Sequence, residues 1–252
     1  MKAFWIGTNW KMTKTTAEGL AYTAKLKQLS KTIPSHYQLF IIPSFPSLPS
    51  IKVELEGSTL KLGAQNMHWE ERGAFTGEVS PLMLQEVGVD LIELGHSERR
   101  QFYNETDEAI NKKVLSALRF GIQPLVCIGE DWKTKENGTS KEHLTMQLKV
   151  CLKGITKEAA KEVLIAYEPV WAIGENGRPA EPSYVDEIHT HIRTVLKELF
   201  EDGGEEVALL YGGSINLDNY QAYKELDNVD GLFIGRTAWD IESFTQLLNG
   251  MK

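Results

Sequence analysis

One pattern repeats along the whole chain: a short apolar run, then a longer stretch with apolar residues on one side and charge on the other. Short apolar runs suit strands buried on both faces of a parallel sheet, and the amphipathic stretches suit the helices that cover it. Strand candidates are Phe4 to Asn9, Gln38 to Ile42, Leu60 to Gln65, Leu91 to Leu94, Ile122 to Ile128, Val163 to Glu168, Val207 to Tyr211 and Gly231 to Ile234. Helical patterns cover Ala17 to Leu29, Asp107 to Phe120, Lys141 to Leu152, Ser183 to Phe200 and Ile241 to Leu248. Between Ile42 and Glu56, Pro43, Pro46 and Pro49 leave room for only a short helix. About eight strand-then-helix units, with no linker or shift in composition, predict one (β/α)8 barrel over residues 1–252 rather than an open doubly wound sheet. No GxGxxG follows the first strand, which lowers the dinucleotide-binding alternative.

In a parallel barrel the C-terminal strand ends share one face, where sites of this architecture form. Glu168 stands at such an end, behind the apolar run Val163 to Tyr167. Pro169 stops further pairing, and Gly174, Gly177 and Pro179 bracket a segment able to swing as a unit. A carboxylate at a strand mouth with a lid behind it is a candidate general base; a surface acid in a turn is the competing reading.

The other strand ends supply partners. Asn9 and Lys11 follow the first strand two residues apart, on one side if extended, and offer a neutral donor and a cation. His96 lies just past the fourth strand, before a helical turn begun by Ser97, where helix N-terminal charge disfavours imidazolium and leaves a neutral hydrogen-bond donor. Glu98 is placed to pair with Lys11. Gly212-Gly213-Ser214 and Gly235-Arg236 follow the last two strands, where glycine turns let backbone N–H groups approach a phosphate.

The formal net charge of −8 argues against a nucleic-acid surface, so an anionic ligand needs a few local cations such as Lys11. Two cysteines, Cys127 in an apolar run and Cys151 in a helical pattern, lack metal-ligand spacing and read as reduced core thiols. No run is long enough to span a membrane, and the first residues lead straight into the first strand with no signal-peptide pattern, so a cytoplasmic location is expected.

Together these residues resemble the triosephosphate isomerase family over essentially the whole chain. The resemblance rests on Asn9-Trp10-Lys11-Met12, Gly63-Ala64-Gln65-Asn66, Gly73-Ala74-Phe75-Thr76-Gly77-Glu78, Gly95-His96-Ser97-Glu98-Arg99-Arg100, Cys127-Ile128-Gly129-Glu130, Ala166-Tyr167-Glu168-Pro169-Val170-Trp171-Ala172-Ile173-Gly174 and Tyr211-Gly212-Gly213-Ser214. That family is the reference case for a glutamate base, a neutral histidine and a closing loop. The resemblance implies Glu168 as base, His96 as electrophile, Asn9 and Lys11 as stabilisers of an enediolate, and Glu98 as the partner of Lys11. It places substrate phosphate at Gly174, Ser214 and Gly235, with Gly213 in the same turn, and puts Thr76 in a loop that reaches the other subunit of a homodimer. The implied partner is a small phosphorylated ketose or aldose; no metal or cofactor is implied.

Three stretches depart from the family pattern. Gly174-Glu175-Asn176-Gly177-Arg178-Pro179-Ala180 replaces the usual lid Gly-Thr-Gly-Lys-Thr-Ala and lengthens it; Arg236 follows Gly235 in place of a second glycine; and Glu130-Asp131-Trp132 replaces Glu-Thr-Leu. Arg236 is a candidate phosphate contact. The catalytic set ranks interconversion of dihydroxyacetone phosphate and glyceraldehyde 3-phosphate first. The lid, Arg236 and the opening Phe4-Trp5-Ile6-Gly7-Thr8 look more like a branch that isomerises erythrulose phosphates in erythritol breakdown, which stands as the alternative.

Overall fold

Apolar runs buried on both faces require two layers of partners, and a closed barrel sheathed in helices provides them. The structure, a computed structural model, describes residues 2–174 and 177–252. Eight parallel strands, β1 (Phe4–Asn9), β2 (Tyr37–Ile42), β3 (Lys61–Ala64), β4 (Leu91–Leu94), β5 (Gln123–Ile128), β6 (Leu164–Tyr167), β7 (Ala208–Tyr211) and β8 (Gly231–Phe233), pair in chain order, and β8 pairs back on β1. The fold is the expected (β/α)8 barrel, and each strand end agrees with the sequence reading or differs from it by one residue.

Alternation along each strand divides the core. Phe40, Leu91, Leu125, Cys127, Leu164 and Leu210 fill the barrel interior, while Ile41, Ile92, Val126 and Ile165 face the helices. The helix Pro182–Phe200 opens on proline and buries Val185, Ile188, Ile192, Val195 and Leu196 at three- and four-residue spacing. The helix Thr16–Ser30 begins at a capping box in which Thr15 and Glu18 satisfy each other's backbone N–H groups. The proline-rich stretch after β2 holds a 3-10 turn, Phe45–Ser47, and the expected short helix, Leu48–Glu54. Cys127 and Cys151 are free and buried. Among the described residues no helix is long and apolar enough to cross a membrane.

His189, on the helix Pro182–Phe200, packs against the rings of Tyr167 and Tyr211 beneath the strand ends. Its Nδ1 donates to the Asn228 carbonyl at 3.0 Å. Burial lowers its pKa from 6.5 to about 4. The unfolded chain takes up this proton first, so the stability tied to neutral His189 is full above about pH 6.5 and is lost as pH falls toward 4. The difference is about 3 kcal/mol. Urea unfolding of His189→Gln should show a flatter loss over that range; an unchanged slope removes the assignment.

Candidate active site

Glu168 directly follows β6 and keeps the ladder going, its N–H donating to the Ile128 carbonyl at 2.8 Å. Glycines on both neighbouring strands make room for it. A Cβ at Gly129 would lie 1.9 Å from the Glu168 carbonyl oxygen, and one at Gly212 would lie 2.7 Å from its Cγ. Glu168 is 4% exposed, and its Oε2 has no hydrogen-bond partner. An unpartnered buried carboxylate oxygen is costly unless something else is to occupy the space in front of it.

His96 Nε2 lies 3.9 Å from that oxygen. His96 caps the short helix Ser97–Tyr103, as its position before Ser97 suggested, and its Nδ1 accepts the Glu98 N–H at 3.1 Å. An Nδ1 that accepts carries no proton, so the neutral ring holds its hydrogen on Nε2 and presents a donor to the site.

Asn9 and Lys11 meet the site by a different route from the one strand alternation suggested. The strand ends at Asn9, and Lys11 has φ +51°, a left-handed conformation that a side-chain-bearing residue rarely adopts. Three contacts hold this turn: the Lys11 N–H donates to Asn9 Oδ1 at 2.6 Å, Gln65 Nε2 donates to the Lys11 carbonyl at 2.8 Å, and Trp239 Nε1 donates to the Asn9 carbonyl at 2.8 Å. Lys11 Nζ donates to Glu98 Oε1 at 2.8 Å, the expected pair.

One cavity is lined by Asn9, Lys11, His96, Glu168, Gly213 and Gly235. Ile173, at the start of the lid, lines it as well. The remaining expected residues lie outside that lining. Gly174 is exposed with φ +85°, and Ser214 is half-buried with its carbonyl accepting from Asn219 Nδ2 at 3.0 Å. Arg236 is exposed at the start of the turn Arg236–Ala238, and Thr76 is exposed in the loop between β3 and the helix Pro81–Val87. Glu175 and Asn176, which carry part of the lid departure, lie outside the described residues.

Two further acids belong to the site. Buried Glu130, in the motif after β5, accepts through Oε1 from Tyr167 Oη at 3.1 Å, Trp171 Nε1 at 3.0 Å and Tyr184 Oη at 2.9 Å, tying the root of the lid to the barrel. Glu93, inside β4, is fully buried, and its Oε2 accepts from Asn9 Nδ2 at 2.6 Å. Burial, then the charge of Glu168, pushes the Glu93 carboxyl well above the usual carboxylate range. Sequence reading passed over Glu93. The available signal was an acid in an otherwise apolar strand, at the position whose alternation points inward.

A parallel barrel that gathers a carboxylate, a donor imidazole, an ammonium and glycine turns at its strand ends has the parts of an enzyme that moves protons on a small anionic substrate. The family model for triosephosphate isomerase matches residues 4–251. The chain is 45% identical over 245 residues to the L-erythrulose-1-phosphate isomerase of Rhizobium etli, covering 97% of this chain and 91% of that protein. The enzyme of that name from Rhizobium rhizogenes is 44% identical, with 97% and 93% covered, and that from Brucella abortus is 44% identical, with 98% and 96% covered. The chain belongs to the triosephosphate isomerase family, a family of isomerases. The ranking of the triose reaction first is overturned: these full-length relatives carry the name of the four-carbon activity. The strand-end residues misled because they point to a type of reaction, whereas the departures in the lid, at Arg236 and in the opening motif pointed to the four-carbon branch.

Proposed function

We propose that this protein isomerises L-erythrulose 1-phosphate by carbonyl migration through an enediolate. The observation that carries the reading is the buried, unpartnered Glu168 carboxylate oxygen 3.9 Å from the donor nitrogen of His96, in a cavity shared with Lys11. The full-length relatives of that name support the choice of a four-carbon substrate.

The substrate carries its phosphate on C1, its carbonyl on C2, and a hydrogen and a hydroxyl on C3. Glu168 takes the C3 hydrogen as a proton. The C–H electrons become the C2–C3 double bond, and the carbonyl pair moves onto the C2 oxygen. His96 Nε2–H, the Asn9 amide and the Lys11 ammonium stabilise the charge on the two oxygens, and His96 moves the hydroxyl proton from O3 to O2. Glu168 returns its proton to C2, leaving the carbonyl on C3; counted from the other end, the product is erythrulose 4-phosphate. Glu98 positions Lys11. Backbone N–H groups at Gly213, Ser214, Gly235 and the lid's Gly174 hold the phosphate, with Arg236 adding charge at that end. The lid excludes water, since an exposed phosphorylated enediolate eliminates phosphate. Two copies of the chain pair through the loop bearing Thr76, and the enzyme works in the cytoplasm within erythritol breakdown.

Purified protein assayed side by side should show a kcat/KM for L-erythrulose 1-phosphate about 10²-fold above that for dihydroxyacetone phosphate. Equal or better turnover of the triose would overturn the substrate assignment.

A further inference from the structure

Alternation carries Leu91 into the barrel and Ile92 and Leu94 outward, so Glu93 faces the interior, directly below the site. One oxygen of Glu93, one ring nitrogen of His96 and one oxygen of Glu168 lie within 4.8 Å of one another. Two carboxylates this close, both cut off from water, do not both ionise. Glu168 borders the cavity, whereas Glu93 has no exposed surface, so the proton resides on Glu93. The groups facing Glu93 are few. Asn9 comes from the end of β1 and, further out, Lys11 from the turn behind it, Cys127 from β5 with its Sγ 3.6 Å from Glu93 Oε1, Glu168 from just past β6, and His96 from just past its own strand. Arg100 lies behind Cys127, its Nη2 donating to that carbonyl at 3.1 Å.

The Asn9 amide is held at both ends. Its Nδ2 donates to Glu93, and its Oδ1 accepts from the Lys11 N–H. One Nδ2 hydrogen is left for the cavity that Asn9 lines. We propose that Glu93 is a positioning residue for the isomerisation: as a neutral carboxylic acid it fixes the Asn9 amide toward the substrate oxygens and leaves Glu168 the only anion of the pair. The proposal rests on the reading above that Asn9 and Glu168 act on the substrate. It has a direct consequence at high pH. Once Glu93 loses its proton, a second negative charge sits beside Glu168 and under the developing enediolate, and turnover falls.

The test combines infrared spectra with kinetics. Difference spectra of wild-type enzyme minus Glu93→Gln, recorded near neutral pH without substrate, should contain the C=O band of a protonated carboxyl. In kinetics, wild-type kcat should fall on an alkaline limb. Glu93→Gln keeps the acceptor oxygen and cannot ionise, so its kcat near neutral pH should stay within about threefold of wild type and the limb should vanish. Glu93→Leu releases the Asn9 amide and should lower kcat about 10²-fold with KM little changed. A missing protonated-carboxyl band, or an alkaline limb that survives in Glu93→Gln, overturns the proposal even if the leucine variant fails to fold. The kinetic arm uses whichever ketose phosphate the wild type turns over, so a preference for the triose counts against the substrate reading and leaves the Glu93 test intact.

Discussion

Replacing Glu168 with glutamine lowers kcat by about 10³-fold or more and changes the affinity for inorganic phosphate only a few-fold. The amide has the size and nearly the shape of the carboxylate, so the cavity between Gly129 and Gly212 stays filled and the phosphate end of the site is undisturbed. What disappears is the base. Glu168→Asp separates geometry from basicity: it keeps the carboxylate but withdraws it by one methylene, and a displacement near 1 Å costs about 10²-fold. Steady-state kinetics with L-erythrulose 1-phosphate, together with inhibition by phosphate, measure both effects. Equal loss of turnover and phosphate affinity would mean that Glu168 supports the cavity rather than removing a proton.

Replacing His96 with glutamine lowers kcat by about 10²- to 10³-fold. Glutamine can still donate a hydrogen bond, so part of the stabilisation of the substrate oxygens survives, but it cannot pass a proton between them. The tautomer sharpens this expectation. Because Nδ1 accepts from the Glu98 N–H, protonating the ring fully would break the cap of the helix Ser97–Tyr103, and the working ring alternates its proton at Nε2 alone. ¹⁵N spectra of the free enzyme should therefore show Nδ1 as the unprotonated nitrogen and Nε2 as the one that carries hydrogen. Hydrogen found on Nδ1 would remove this tautomer and with it His96 as a donor through Nε2.

Most of the fold was legible from local chemistry. Strands β1 and β4 were bounded correctly because runs such as Leu91 to Leu94, apolar except for Glu93, are followed by glycine or a polar turn, which is the pattern burial on both faces imposes. The ends that moved, such as β6 stopping at Tyr167 before Glu168, moved because pairing geometry sets strand limits and apolarity only approximates it. In the site, Glu168, His96, Asn9 and Lys11 were legible as polar residues at strand ends, and the structure brings them to one cavity. The reason given for Asn9 and Lys11 was different from the observed one: a left-handed residue pinned by Asn9, Gln65 and Trp239 turns Lys11 toward Glu98, and no local pattern encodes that turn. Substrate ranking was the part read wrongly, since polar residues at strand ends point to a type of reaction and are silent on the length of the substrate.

The sequence by itself determined the barrel, the face that holds the candidate site and the polar groups gathered there, because strand periodicity and strand-end chemistry are local and survive in one dimension. Only the tertiary structure decided what those groups do to one another. It joined Asn9 to Glu93 across 84 residues, set Glu93 close to Glu168, and left Arg236 exposed beside the cavity rather than in its lining. Charge and hydrogen bonding act over a few ångströms of space, and which residues come that close depends on barrel closure.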